Sequence, residues 1–147
     1  MPIDQIDPPG AKQRLEAKDG SVYLDVRSVT EFEAGHVPGA LNVPIMHLDP
    51  ATRQMTPNAE FLAVVRAVLP PDTELVVGCQ SGKRSQMACE QLAAAGYSSL
   101  SNMTGGFGGA RDPMGRVLAP GWLQSGFPQT ADAGDGSYAA LKGKSGL

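Results

Sequence analysis

The chain has 147 residues, enough length for one domain with a single core, and its net charge of −3 gives no electrostatic reason to expect nucleic acid, which usually needs a basic face. No apolar run approaches the roughly 18 residues that cross a bilayer, so neither nucleic acid nor a membrane is an expected partner. The two cysteines stand ten positions apart without a CxxC pair, and there are only two histidines, so no disulfide framework, metal site or cofactor is expected.

Met1-Pro2-Ile3-Asp4 lacks the basic start and apolar segment of a secretory signal, which makes a cytoplasmic location the expectation. Asp7-Pro8-Pro9 reads as an N-cap followed by proline where its missing N–H costs nothing. The helix it opens places Ala11, Leu15 and the stem of Lys18 on one face and ends near Asp19-Gly20. Val22 to Val26 is a buried strand with Asp25 near its end. Ser28-Val29-Thr30-Glu31 is a capping box opening a short helix that Gly35 ends.

A turn, His36 to Ala40, leads into a small strand, Leu41-Asn42-Val43. From Pro44 to Asn58 the pattern is irregular, with one turn of helix expected at Ile45 to Leu48 and His47 on the surface. Asn58 reads as the N-cap of a helix presenting Phe61, Leu62, Val65 and Leu69, stopped by Pro70-Pro71. Leu75 to Gly78 is a second strong strand, Ser85 to Ala95 a helix closed by Gly96, and Tyr97 to Met103 holds a last short strand. Residues 1–128 form the expected domain. Within it, 104–128 reads as ordered loop anchored by Phe107 and Trp122, while 129–147 reads as a mobile tail. Strands alternating with helices imply a three-layer α/β/α fold around a mostly parallel sheet of about five short strands, with ligands bound beyond the strands' C-terminal ends.

One stretch sits at such an end. Val76-Val77-Gly78-Cys79 is followed by the polar loop Gln80-Ser81-Gly82-Lys83-Arg84-Ser85 and then by a helix. Backbone N–H groups of a tight loop closed by a helix N-terminus form an anion-binding nest. A thiol on its floor is stabilised as thiolate, the form that attacks a small anionic substrate. Basic residues at a helix N-terminus oppose the dipole, so Lys83 and Arg84 in succession point to a use, with Arg84 expected to line the pocket and Lys83 to face solvent. Gly82 serves the turn. Ser81 and Ser85 either donate hydroxyl hydrogen bonds or cap the helix.

Three groups of residues resemble the single-domain rhodaneses. Leu24-Asp25-Val26-Arg27-Ser28, Glu31-Phe32, Gly35 to Ala40 and Asn42-Val43-Pro44 are similar to their N-terminal signature. Cys79 to Ser85 resembles their active-site loop, and Gly105-Gly106-Phe107 with Trp122 further on resembles their C-terminal signature. The segment between Phe107 and Trp122 is longer than in the smallest members. The resemblance implies a rhodanese-like fold and transfer of sulfane sulfur from thiosulfate, or a related persulfide donor, to a thiol, protein thiol or cyanide. Cys79 would carry the persulfide, and Gln80 to Ser85 would hold the anion.

Other readings of the same residues stay open at this point. Phosphatases and arsenate reductases of this fold have cysteine-x5-arginine, whereas four residues separate Cys79 and Arg84 here, a ring suited to sulfur rather than phosphate. A persulfide carrier, or a binding module for a protein partner, is a further alternative. Asp25, His36 and Cys79 could be arranged as a Cys-His-Asp hydrolase, but a turn histidine bonded to backbone, with Asp25 and Arg27 bracing neighbouring loops, is the plainer reading. Cys89 is read as core filler rather than a thiol that resolves Cys79.

Overall fold

The computed structural model describes residues 3–17 and 21–147. Strand β1 (Asp4–Ile6) precedes helix α1 (Pro8–Glu16), whose first turn is closed by the Asp7 carboxylate accepting from Gly10 N–H at 2.9 Å. Lys18 and the helix end expected at Asp19-Gly20 lie outside the described residues. Strand β2 (Val22–Asp25) leads through the capping box of Ser28 and Glu31 into helix α2 (Val29–Ala34), then to strand β3 (Leu41–Asn42). Strands β4 (Met46–Leu48) and β5 (Met55–Pro57) precede helix α3 (Phe61–Val68). Strand β6 (Leu75–Gly78), helix α4 (Lys83–Ala94) and strand β7 (Leu100–Met103) follow. Strands β8 (Ala110–Arg111) and β9 (Val117–Ala119) form a hairpin within the stretch expected as loop, and helix α5 (Tyr138–Ser145) ends the chain.

Five parallel strands in the order β1-β7-β6-β2-β3 make the central sheet. Alternation along β2 and β6 sends Leu24, Leu75 and Val77 to one face, where they pack with α3, α4 and α5, and Tyr23 and Val76 to the other, with α1 and α2. Two apolar clusters on opposite faces of one sheet are the three-layer arrangement. Because β6 is central and parallel, its C-terminal end points Cys79 and the start of α4 to the edge where such sheets bind ligands.

The structure departs from the sequence reading at several points. β1 carries no apolar alternation that would predict a strand; it adds to the sheet because Asp4, Gln5 and Ile6 pair in register with Ser101, Asn102 and Met103. Residues 45–48 are not helical. An Asp49 carboxylate that accepts from Ala51 and Thr52 N–H turns the chain back, so that β4 and β5 pair antiparallel. His47 within it is half-buried and tilted against Tyr138. Asn58 does not cap α3 directly: its Oδ1 accepts from Glu60 N–H, and its Nδ2 donates to Pro44 O and Tyr138 Oη.

The largest correction concerns 129–147, expected as a mobile tail. Thr130 pairs with His36 through backbone bonds of 2.9 Å in both directions. Ser137 caps α5, Tyr138 and Leu141 are buried in the main core, and Lys142 pairs with Glu60 at 2.9 Å. The segment lacks apolar periodicity because only two side chains of α5 face inward. Leu141→Ala is therefore expected to lower the unfolding free energy by about 2–4 kcal/mol in a urea titration. A detached tail would show no change.

Candidate active site

Four elements converge beyond the C-terminal ends of β2 and β6: the β6–α4 loop, the start of α2, the turn at Gly35, and the chain after β7. Cys79 leaves β6, and Gly82, at φ +108°, turns the loop into the twelve-residue helix α4. Gly82 N–H donates to Cys79 Sγ at 3.0 Å, and Ser85 Oγ lies 3.4 Å from the same sulfur. The loop's carbonyls are drawn the other way: Phe107 N–H donates to Cys79 O at 2.8 Å and Gly108 N–H to Gln80 O at 3.0 Å. That approach needs glycine at 106, where a Cβ would sit 2.6 Å from Cys79 O.

The charged groups are almost all paired. Arg84 Nη1 and Nη2 donate to the two carboxylate oxygens of Glu31 at 2.7 and 2.9 Å. Burial pushes the Glu31 carboxyl up, but the Arg84 hydrogen bonds and charge, with the Ser28 hydroxyl and N–H, outweigh it and hold it below its usual value. The same pairing raises Arg84 further above its ordinary value. Lys83 is exposed and makes no ion pair among the described residues.

Asp25 and Arg27 form a buried pair at 2.8 Å. Arg27 also donates to Gly35 O at 2.8 Å and lies 4.4 Å from the centre of the Phe107 ring, so one guanidinium joins the loops after β2, α2 and β7. His36 stacks on Phe32 at 3.7 Å, with Nδ1 against Phe32 O and Nε2 against Asp132 O. With Asp25 committed to Arg27 and His36 to backbone, a Cys-His-Asp arrangement does not form.

A cavity of about 340 Å³ opens beside the loop, walled by Arg27, Glu31, Gln80, Phe107, Leu123 and Gln129 among others. A larger cavity of about 600 Å³ lies against α5 and β3 and holds none of the expected site residues. Cys79 is 1% exposed and does not line the smaller cavity, although Gln80 beside it does. The Gln80 side chain fills the space that Gly108 leaves, its Nε2 1.9 Å from where a Cβ there would be, and its only long-range side-chain bond among the described residues is a 3.4 Å contact from Arg27. Trp122 is buried and donates to Pro128 O, which pins the C-terminal segment rather than walling the cavity. Cys89 lies within the core, and burial pushes its thiol up to about 12.

Residues 7–111 match the rhodanese-like domain. The chain belongs to the rhodanese-like domain family. Thiosulfate sulfurtransferase 18 of Arabidopsis thaliana is 42% identical over 107 residues, covering 71% of this chain and 76% of that protein. A sulfurtransferase of Allochromatium vinosum is 30% identical over 132 residues, 90% of this chain and 99% of that one. The crystal structure of Rv0390 from M. tuberculosis superposes with a TM-score of 0.75 at 28% identity over 90% of this chain and all of that one. These relatives support sulfur transfer as the general class of activity of this rhodanese-like chain. The match stops at Arg111, so most of the β8–β9 hairpin and all of α5 lie beyond it.

The sequence marks Glu31 as a capping-box residue and as part of the N-terminal signature but not as the partner of Arg84, and it gives no signal for Asn102 or Gln129. Spacing carries no signal for a contact across 53 residues such as Arg84 to Glu31.

Folding lowers the Glu31 carboxyl, so the pair's stabilisation is complete above the ordinary carboxylate range and is lost as pH falls through the lowered value. Urea titrations of wild type and Glu31→Gln should therefore differ most near neutrality and converge in acid; a pH-independent gap would contradict the pairing. In Gln80→Ala the wall beside Cys79 is removed, and iodoacetamide should modify Cys79 several times faster than in wild type, as read by mass spectrometry. Equal rates would mean that Gln80 does not control access.

Proposed function

We propose that this protein is a sulfurtransferase that carries sulfane sulfur as a persulfide on Cys79, with thiosulfate or a related persulfide as donor and a thiol or cyanide as acceptor. The observation that carries this reading is the Gly82 N–H aimed at Sγ from 3.0 Å at the start of α4. Such a donor, backed by a helix N-terminus, favours negative charge on sulfur and on the anion that approaches it. A Cys79 thiolate attacks the outer sulfur of thiosulfate, the S–S bond of the donor breaks, and its electron pair leaves on sulfite. The new Cys79–S–S⁻ group then gives its terminal sulfur to the acceptor and returns the thiolate. No general base enters a cycle that begins from thiolate, which accords with the commitment of Asp25 and His36 elsewhere.

Arg84 acts in this reading at one remove. Both of its Nη atoms are held by Glu31, so the pair orients the loop as a neutral unit rather than offering an unpaired cation. That arrangement also weighs against the phosphatase-like alternative, in which an arginine at the loop's end grips a tetrahedral oxyanion.

A second reading is favoured by the neutrality of the cavity, whose charged lining groups, the Arg27 guanidinium and the Glu31 carboxylate, are both held in ion pairs, with Asp25 and Arg84. A wall without an unpaired cation suits a persulfide or thiol presented by a protein partner as well as it suits a free dianion. In that case the chain is a persulfide carrier.

The test is to incubate the protein with thiosulfate and weigh it intact. Wild type should gain the mass of one sulfur, cyanide should remove it, and Cys79→Ser should gain none. Absence of a gain on wild type, or an equal gain on Cys79→Ser, would remove the proposal. Rapid transfer from the loaded protein to a protein thiol, with negligible turnover of cyanide, would select the carrier.

A further inference from the structure

The Cys79 sulfur has a second neighbour whose proton is already in use. Ser85 Oγ has three acceptors in range: Asn102 Oδ1 at 2.5 Å, Gly82 O at 3.2 Å and Cys79 Sγ at 3.4 Å. A hydroxyl has one proton to give. Which acceptor receives it depends on whether Asn102 presents its oxygen or its amide nitrogen, and the surroundings decide that.

Asn102 is 4% exposed and sits on β7 beside β1. Its Nδ2 donates to Gln5 Oε1 at 2.9 Å and lies 3.4 Å from Gly82 O, a carbonyl that can only accept. Gln5 Nε2 in turn donates to Gln86 Oε1 at 2.7 Å, and Gln86 Nε2 to the Glu90 carboxylate at 3.2 Å. The chain Glu90–Gln86–Gln5–Asn102–Ser85 thus ends on an acceptor-only group at the surface, and Gly82 O imposes the same direction nearer the sulfur. Every amide in it is oriented, and Asn102 shows oxygen to Ser85. Three of its members come from α4, one from β7 and one from β1, and Gln5 precedes the residues 7–111 that match the family.

We propose that Asn102 is a positioning residue for Cys79: it holds the Ser85 proton away from the sulfur and so biases the site toward the persulfide. This rests on the persulfide reading above. A Cys79 thiolate is stabilised by every donor that reaches Sγ, and Ser85 can serve as one only by giving up Asn102. Once sulfur has been transferred, the negative charge lies on the outer sulfur, Sγ is neutral, and Ser85 returns to Asn102 at no cost. Asn102 therefore raises the free energy of the thiolate relative to the persulfide. The transfer itself is unchanged and balanced, since the thiolate and the thiosulfate dianion become a persulfide anion and a sulfite dianion.

The test compares wild type, Asn102→Ala, Ser85→Ala and the double variant by the pH dependence of Cys79 alkylation with iodoacetamide, which needs no sulfur donor. The Cys89 thiol, pushed up to about 12 by burial, stays out of this readout near neutrality. In Asn102→Ala the freed Ser85 proton should move the midpoint of the profile toward lower pH by roughly half a unit to one unit, the size of one neutral hydrogen bond. In the Ser85→Ala background the same change should move it no further. No movement in Asn102→Ala, or equal movement with and without Ser85, would overturn the proposal. If Asn102→Ala does not fold, Gln5→Leu at the exposed end of the chain decides: a smaller shift in the same direction that vanishes without Ser85 supports it, and no shift overturns it. At a fixed ratio of thiosulfate to sulfite, the loaded fraction of Asn102→Ala should also fall, with an equilibrium constant reduced roughly threefold to tenfold. If no form of the protein takes up sulfur, the persulfide reading fails while the alkylation result still reports on Ser85 and Asn102.

Discussion

The site depends on which way the backbone of the β6–α4 loop faces. A strand that ends at Gly78 leaves the next residues without ladder partners, and buried peptide groups must be paired somewhere. Here the chain after β7 supplies the partners for one side only. Phe107 and Gly108 take the carbonyls of Cys79 and Gln80, which leaves Gly82 N–H free to turn toward Sγ. The glycines at 105, 106 and 109, all at positive φ, let that segment pass close enough to do this. The glycine-rich run is thus the other half of the thiol loop. The carbonyls are held outward from a different part of the sequence, and the donor faces inward as a consequence.

Electrostatics at the mouth are settled by pairing rather than by excess charge. Glu31 accepts from Ser28 N–H and hydroxyl within its own helix and from both Arg84 nitrogens across the sheet edge. Arg27 is enclosed by Asp25, Gly35 O and the Phe107 ring. A cation at the N-terminus of α4 opposes that helix's dipole, and the Glu31 carboxylate relieves the conflict at the same point. The cost of placing Arg84 there is met by a residue whose other function is to cap α2. Loop position, α2 orientation and charge at the mouth are therefore coupled through one carboxylate.

The layered α/β architecture was legible because β2 and β6 are apolar runs of the right length, separated by segments with helical spacing and clear stops. The cap at Asp7 and the capping box at Ser28 were legible for the same local reason. What could not be read were contacts made by polar or sparse residues. β1 has a single apolar side chain and becomes a strand only through pairing with β7. The β4–β5 hairpin depends on an aspartate turn inside a stretch without alternation. α5 buries only Tyr138 and Leu141, too few apolar side chains to produce a period. At the site, the order of the loop residues was visible in the sequence, but the partner of Arg84 and the bond from Ser85 to Asn102 join positions 53 and 17 residues apart.

The C-terminal segment links these two scales. α5 packs into the core through Leu141, while six to nine residues before its start the chain still touches the site: Thr130 pairs with His36, Asp132 O meets the His36 ring, and Gln129 lines the cavity. His36 itself stacks on Phe32 of α2, the helix that carries Glu31. The packing energy of α5 thus fixes the chain that forms one wall of the mouth, and it does so from beyond the residues that match the family. In a protein whose Cys79 thiol is 1% exposed, one wall of the neighbouring mouth is thus built from a part of the sequence that has no motif to announce it.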